Sequence, residues 1–519
     1  CYDQRNRRGD DMTTETHTVH GTAYDRLLDL SRERALLESS SGILGWDSET
    51  MMPTGGLEYR SRQLAQLARL THGLATDERI PELLEEAAAQ EGIGPAEQAN
   101  LGQIRRDHSI ATRLPATLVE ELAKASSIGQ HEWAVARERD DFDHFRPHLE
   151  HLLGLSRRKA ECLGVPEGGG HWDALADTYE PGMTAAGVEA VFTPLRERLT
   201  NLISDLEQST SKPSNAFNEA ECPIESQEAF CRMVAGALGF DFERGRLDRS
   251  VHPFCGGSHC NDVRLTTRFQ PTEVNDALGS TMHETGHGLY EQGLPFEQVG
   301  TPLGESVSLG IHESQSRMWE NQVGRSRAFW TWCAPHARSM LGGAIGGLSD
   351  DELYQGANIV RPGFIRVEAD EATYNLHIMI RFEMERAMIS GDLEVGGVPE
   401  HWNRLYTDYL GLEVPDDRRG CLQDVHWSMG AIGYFPTYTL GNLYCAQFFE
   451  KALEELPGLE AGFERGEFGR LLDWLRSNIH RHGRQYPPGE LCERVTGRPL
   501  SSEPLMNYLE GKLRPLYGV

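Results

Sequence analysis

Apolar residues recur at three- and four-residue spacings along most of the chain, which is the period of a helix with one buried face. In residues 24–39, for example, Leu27, Leu30 and Leu37 share such a spacing. Gly- and Pro-rich breaks separate these stretches, as at residues 53–56 and 342–347. The same pattern predicts further helices over residues 63–74, 80–90, 96–110, 116–137, 140–164, 184–207, 225–238 and 463–481. The chain is therefore predicted to be mainly α.

Signals for strands and for domain boundaries are few. Residues 262–269 alternate in polarity and are rich in β-formers, which predicts one short strand. The polar loop at residues 208–216 is the one possible linker, but the helical pattern is alike on both sides of it. We therefore expect a single domain over residues 12–519. Residues 1–11 are polar and charged, so we interpret them as an upstream or expression-derived tail.

Composition narrows the class of protein. The formal net charge of -29 argues against a nucleic-acid partner, because phosphates would be repelled. No stretch is apolar enough to predict a membrane span. The ten cysteines are scattered, which indicates reduced thiols and a cytoplasmic protein. Cys255, His259 and Cys260 lie close together, but no second Cys/His pair at structural-zinc spacing accompanies them.

The central motif is His283-Glu284-Thr285-Gly286-His287. Residues four apart on a helix share one face, with Cβ atoms about 5–6 Å apart, so both imidazoles can bind one cation. Glu284 is turned by about 100° from His283 around the helix axis, so its carboxylate can reach a water on the metal rather than the metal itself. This arrangement predicts a zinc-type metallopeptidase with Glu284 as general base.

A catalytic zinc takes three protein ligands and keeps one position open. Residues 305–321 are predicted to form the next helix, and they contain His312 and Glu313. Either side chain could be the third ligand, and spacing alone favours Glu313 only slightly, since a His₂Glu set suits peptide hydrolysis. A solvated helix charge is otherwise the commoner fate of a glutamate.

Further short motifs follow one another in a specific order. They are HPF at 252–254, DVRLT at 262–266, HESQ at 312–315, IRVEAD at 365–370 and GCLQDVHW at 420–427. Together with residues 283–287, they resemble the carboxypeptidase Taq family of zinc metallocarboxypeptidases. The resemblance covers nearly the whole chain from about Tyr24.

The resemblance implies properties that spacing does not. It implies a large helical bundle with a deep central groove and a small β-sheet beside the metal. It implies release of single residues from peptide C-termini, with broad specificity and poor activity on Pro. It also implies one zinc ion per chain, which cobalt can replace, a homodimer, and Glu313 as the third ligand.

An enzyme that acts at C-termini must bind a free carboxylate, and the planar fork of an arginine does this best. Arg366 is our choice because it lies in the family-like motif downstream of the metal site. The alternative is a structural ion pair with Glu368, Asp370 or Glu371.

The tetrahedral intermediate needs a hydrogen-bond donor besides the metal. His426 and Tyr434 are the candidates, and they lie within or just after the motif that contains Gln423 and Asp424. Asp424 could orient a histidine, as carboxylates near metal sites often do. The alternative for each is a buried, hydrogen-bonded side chain of the helical core.

His252 and Arg264 flank or lie on the predicted strand and could line the substrate groove. A strand edge near the metal could also pair with an extended peptide backbone. Two competing functions stay open at this point. One is a helical zinc oligopeptidase or endopeptidase, and the other is a non-catalytic peptide-binding homologue.

Overall fold

The computed structural model describes residues 21–519, so the predicted tail at residues 1–11 lies outside the described residues. The first part of the described chain is helical. Its α-helices are α1 (Ala23–Thr50), α2 (Leu57–Ala75), α3 (Ile80–Ala88), α4 (Pro95–Arg113), α5 (Ala116–Arg139), α6 (Phe142–Leu163), α7 (His171–Ala176), α8 (Ala185–Gln208) and α9 (Ile224–Leu238).

A small sheet precedes the remaining helices. Its strands are β1 (Gly245–Arg249), β2 (Phe254–His259) and β3 (Asp262–Thr267). The helices that follow are α10 (Val274–Gly293), α11 (Leu309–Arg317), α12 (Arg327–Leu341), α13 (Asp350–Ala357), α14 (Tyr374–Ser390), α15 (Val398–Leu410), α16 (Pro436–Glu455), α17 (Leu459–Phe463), α18 (Gly469–Asn478), α19 (Pro488–Thr496) and α20 (Glu503–Tyr517).

The ends of two predicted helices differ clearly from the structure. The helix predicted over residues 305–321 begins only at Leu309, because the Ser308 hydroxyl caps its N-terminus. It continues beyond Arg317 as a π-helical turn, Met318–Val323. The helix predicted over residues 463–481 is shorter in the structure, because α18 spans only Gly469–Asn478 and Phe463 is the last residue of α17.

The sheet lies against the helix that carries the central motif. Strand order is β1-β3-β2, with β1 parallel to β3 and β2 antiparallel to it. The Thr267 and Ser280 hydroxyls are 3.0 Å apart and tie β3 to α10. The strand predicted over residues 262–269 therefore occupies the centre of the sheet, beside α10.

The apolar core is continuous over most of the fold. Trp319, Trp330 and Trp402 are among its largest fully buried side chains. A separate, smaller cluster fills the space between α1, α3 and α4. The predicted fold class, mainly α with a small sheet, is confirmed. Within residues 21–519, none of the helices is both long enough and apolar enough to cross a bilayer.

Candidate metal centre

Three side chains from two adjacent helices converge on one point. Helix α10 presents His283 and His287 on one face, with ring centroids 4.9 Å apart. Glu313 of α11 places its Oε2 atom 3.6 Å from His283 Nε2 and 3.5 Å from His287 Nε2. One ligand atom from each residue lies within 4.8 Å of the others. In residues 21–519 no other group of His, Cys, Asp and Glu side chains converges in this way, and this includes the cluster at 255–260.

Two glycines permit this convergence. A side chain at Gly286 would place its Cβ 2.4 Å from the Gln315 carbonyl oxygen, so only a glycine lets α10 and α11 approach this closely. A Cβ at Gly441 would lie 2.6 Å from the Cβ of Glu313, so α16 packs directly on the third predicted ligand. The glycine inside the central motif therefore has a packing reason of its own.

The outer ring nitrogen of each histidine is already engaged. His283 Nδ1 lies 2.8 Å from Glu320 Oε2. His287 Nδ1 lies 2.5 Å from His312 Nδ1, and His312 Nε2 lies 2.7 Å from Glu291 Oε1. When His283 and His287 donate from Nδ1 in these contacts, both Nε2 atoms face the common centre as acceptors, which is the tautomer that a cation requires. His312, the alternative third ligand, instead contacts the Nδ1 atom of His287, on the side of the ring away from the common centre.

Arg317 links the carboxylates on the α11 side. Its Nε donates to Glu313 Oε1 at 2.7 Å, and its Nη1 donates to Glu320 Oε2 at 3.0 Å. Burial alone would raise the pKa of both acids, but the Arg317 charge lowers the pKa of Glu320 to about 2 and also lowers that of Glu313. Both carboxylates are therefore ionised at neutral pH. Sequence reasoning missed Arg317 and Glu320, although their four- and seven-residue offsets from Glu313 place them on its helix face.

Glu284 lies beside the three converging atoms and is only 6% exposed. Burial raises the pKa of its carboxyl to about 7, and the Glu313 charge adds to the rise. Burial raises the pKa of the Cys255 thiol on β2 well above its usual range, and the nearby Glu284 charge adds to the rise. A carboxyl poised near neutrality is suited to accept and return a proton.

Arg366 is buried in a second charged cluster. Its Nε and Nη2 atoms each lie 2.9 Å from Asp424 Oδ1, and its Nη1 donates to the Tyr374 hydroxyl at 3.1 Å. The other Asp424 oxygen accepts from Arg381 at 2.7 Å. The ion pair thus forms with Asp424 and not with Glu368, Asp370 or Glu371. Asp424 contacts two arginines here instead of orienting a histidine.

Tyr374 connects this cluster to the metal ligands. The Arg317 guanidinium lies 4.5 Å above the centroid of the Tyr374 ring, while the Tyr374 hydroxyl accepts from Arg366. Two side chains therefore separate Arg366 from Glu313. Sequence reasoning did not single out Tyr374, because its position depends on how α14 packs against α11 and α16.

His426 and Tyr434 lie together in an aromatic cluster. Their ring centroids are 5.3 Å apart, and His426 Nε2 is 3.4 Å from the Tyr438 hydroxyl. His426 Nδ1 is buried without a hydrogen-bond partner. Burial lowers the pKa of His426 to about 4, whereas burial and the nearby Glu313 charge raise the pKa of Tyr434. Both groups are therefore neutral at pH 7.

The other predicted substrate-binding residues have local partners. Arg264 donates to Asp262 at 2.9 and 3.1 Å and lies 4.4 Å from the centroid of the Trp46 ring. Gln423 accepts from the Arg366 backbone N–H and donates to the Phe364 carbonyl, so it fixes the loop before Arg366. His252 is exposed in the turn between β1 and β2.

A His₂Glu centre with a buried glutamate beside it, on a helical scaffold, defines a metallopeptidase site. The family model of the carboxypeptidase Taq (M32) metallopeptidases matches residues 26–513. The chain belongs to this family, and it is accordingly a peptide hydrolase of the metallocarboxypeptidase class.

Known relatives are similar in sequence to this chain over almost its full length. The chain is 45% identical to thermostable carboxypeptidase 1 of Thermus thermophilus over 507 residues, which cover 96% of this chain and 99% of the relative. It is 35% identical to carboxypeptidase 1 of Bacillus subtilis, with 97% and 99% covered. The crystal structure of the M32 carboxypeptidase from Deinococcus radiodurans superposes with a TM-score of 0.93 at 42% identity, covering 96% of this chain and all of that one.

Proposed function

We propose that the enzyme releases single amino acids from the free C-termini of peptides, with broad specificity and poor activity when Pro is terminal or penultimate. The observation that carries the proposal is the convergence of His283, His287 and Glu313 beside the buried base Glu284. The names of the relatives support removal of residues from the C-terminal end.

The proposed metal is zinc, one ion per chain, with cobalt as a substitute. Two imidazole nitrogens and one carboxylate oxygen are the ligand types that a catalytic zinc takes, and the engaged outer nitrogens fit this role. When bound, zinc acts as a Lewis acid and makes water a stronger acid. His283, His287 and Glu313 would hold the ion.

Glu284 acts as the general base in this proposal. Its carboxylate accepts a proton from the attacking water and then donates it to the amine that leaves. Burial raises the pKa of this carboxyl and so makes it a stronger base, while the charge of a bound cation would oppose that rise. The low exposure of the carboxylate keeps bulk water from competing for the proton.

Arg366 binds the terminal carboxylate of the substrate in this proposal. Two buried guanidiniums, Arg366 and Arg381, share the single Asp424 carboxylate, so the cluster retains an excess positive charge. An incoming carboxylate would neutralise that excess. His426 and Tyr434 are the proposed donors to the developing oxyanion, and Gln423, Asp424, Arg264 and His252 are proposed to shape the substrate side.

The test is mass spectrometry of a defined peptide incubated with the protein and Zn²⁺ or Co²⁺. The proposal expects a ladder in which residues leave one at a time from the C-terminus and which stops before Pro. The same peptide with an amidated C-terminus should be stable. Cleavage of the amidated peptide at internal bonds would instead establish an oligopeptidase, and no cleavage of either would establish a non-catalytic homologue.

The assembly and compartment are also proposals. We infer a homodimer and a cytoplasmic location, in line with the family resemblance and the reduced cysteines. Sedimentation of the zinc-loaded protein tests the first, since a mass near that of one 58.0 kDa chain would contradict a dimer.

A further inference from the structure

Glu385 is a fully buried carboxylate on α14 that lies outside the metal centre. Its Oε2 atom accepts from the Gly433 backbone N–H at 2.9 Å and from the Trp172 indole N–H at 3.2 Å. Its Oε1 atom accepts from the Trp427 indole N–H at 3.2 Å. All three donors are neutral, and no basic side chain within residues 21–519 forms an ion pair with this acid.

Two of these donors flank the proposed catalytic groups. Trp427 directly follows His426, and Gly433 directly precedes Tyr434. The same face of α14 carries Arg381 one turn earlier, and Arg381 binds Asp424. One face of α14 therefore binds the segment 424–434 at two places. The Arg381 guanidinium binds its first residue, and the Glu385 carboxylate binds residues 427 and 433.

We propose that Glu385 is a positioning residue for peptide hydrolysis, which fixes the segment 424–434 so that His426 and Tyr434 face the metal centre. The inference rests on the roles proposed above for those two side chains. Its effect is geometric, because a displacement of about 1 Å in a catalytic group can cost roughly 100-fold in rate.

The surroundings of Glu385 make this hold sensitive to protonation. Burial raises the pKa of Glu385 to about 7, while its three hydrogen bonds oppose the rise. Tyr179 is a titratable neighbour: burial raises the pKa of its phenol to about 12, and the Glu385 charge adds to the rise. Arginines that approach α14 from other helices have other partners: Arg157 binds backbone carbonyls, and Arg196 binds Glu383. Protonation of Glu385 would place an O–H donor among N–H donors. The hydrogen bonds between Glu385 and the segment 424–434 therefore weaken as the pH falls below about 7.

Kinetics of Glu385→Gln provide the first test. The variant keeps the shape of the side chain but turns an amide N–H₂ towards other donors. For an unblocked tripeptide, we expect kcat to fall about 10- to 100-fold while KM changes less than about three-fold. Zinc content should stay at that of the wild type. Glu385→Asp, which keeps the charge, should recover part of kcat.

Glu455→Gln is the matched control. Glu455 accepts from the Trp474 indole N–H at 2.7 Å near the opposite end of α16 from Tyr438, so it has the same acid–indole chemistry away from the segment 424–434. Its kcat should equal that of the wild type. An unchanged kcat in Glu385→Gln, or a loss of zinc that matches the loss of activity, would overturn the positioning role.

A second measurement does not depend on activity or on folding of the variant. In protein labelled with 5-fluorotryptophan, the ¹⁹F resonances of Trp172 and Trp427, assigned through Trp→Phe variants, should titrate with one shared midpoint near neutral pH. The Trp474 resonance should not move there, because the pKa of its partner Glu455 is lowered. If Trp172 and Trp427 share no titration midpoint at any pH at which the protein stays folded, the two indoles do not share one carboxylate and the proposal fails.

The two tests separate this proposal from the proposed function. Wild-type protein that cleaves no peptide would refute the carboxypeptidase assignment, while the shared ¹⁹F titration would still report whether Glu385 holds the segment. Active wild-type protein with a fully active Glu385→Gln variant would refute the positioning role alone.

Discussion

Acidic groups outnumber guanidiniums at the metal centre, whereas guanidiniums outnumber acidic groups in the Arg366 cluster. At the metal centre, Glu313 and Glu320 share Arg317, Arg325 lies 3.7 Å from Glu320, and the acid Glu284 is buried beside them. In the Arg366 cluster, two guanidiniums face one carboxylate. A buried excess of one sign is costly unless a ligand neutralises it. The contrast agrees with a cation at the first region and with the substrate carboxylate proposed for the second.

The largest effect should come from substitution of Glu284, the proposed general base. Glu284→Gln removes the proton acceptor but none of the three ligands, so kcat should fall roughly 10²- to 10⁴-fold with zinc retained. Peptide turnover and zinc analysis of the same preparation measure this. If zinc is lost in parallel, Glu284 belongs to the metal-binding set and the distinction between base and ligands fails.

Breaking the Arg366 cluster should affect stability and leave metal binding intact. Asp424→Asn leaves two buried guanidiniums without their carboxylate, which should lower the free energy of unfolding by about 3–5 kcal/mol. Urea unfolding measures the loss, and zinc titration of the folded variant should give the wild-type affinity. A large fall in zinc affinity would show that the two regions are not energetically separate.

His312 should affect metal binding alone. It contacts the outer nitrogen of His287, so His312→Ala should weaken zinc binding about 10- to 100-fold. Competition with a chelating dye measures this affinity. His426→Ala is the matched control from the other side of the site: it should leave zinc affinity unchanged and lower kcat. Equal zinc affinities in the two variants would contradict a contribution of His312 to metal binding through His287.

The smallest expected effect is a dependence of stability on pH from Glu180. This buried acid accepts from Ser308 and Gly310 at the start of α11, and burial raises its pKa to about 7. The folded state therefore binds the proton more tightly than the unfolded state. Its contribution to stability is full below the unfolded pKa near 4.5 and is lost as pH rises through about 7.

Thermal unfolding of Glu180→Gln measures that contribution. The decrease in Tm of the wild type between pH 5 and pH 8 should be about 1–3 °C larger than that of the variant. Identical pH profiles would show that Glu180 has an ordinary pKa in the folded protein. A steeper profile in the variant would reverse the sign of the assignment.

The sequence by itself determined the helical class and the face that carries His283 and His287, because both depend on local spacing. The same spacing kept His312 and Glu313 both open. The family resemblance chose Glu313, and the structure separates them by placing His312 behind His287. Helix ends were less predictable, since the Ser308 cap and the π-helical turn after Arg317 interrupt the local period.

Only the tertiary structure decided the partners of Arg366, Asp424 and Glu385. Arg366 and Asp424 are 58 residues apart in the sequence. The hydrophobic period of a helix does not predict which buried charges form an ion pair across such a separation. The sequence offered carboxylates within the Arg366 motif as partners, whereas packing of α14 on the segment 424–434 brought Asp424 instead. Local spacing specifies a helix face, but long-range pairing is fixed by the close-packed core that brings distant segments together.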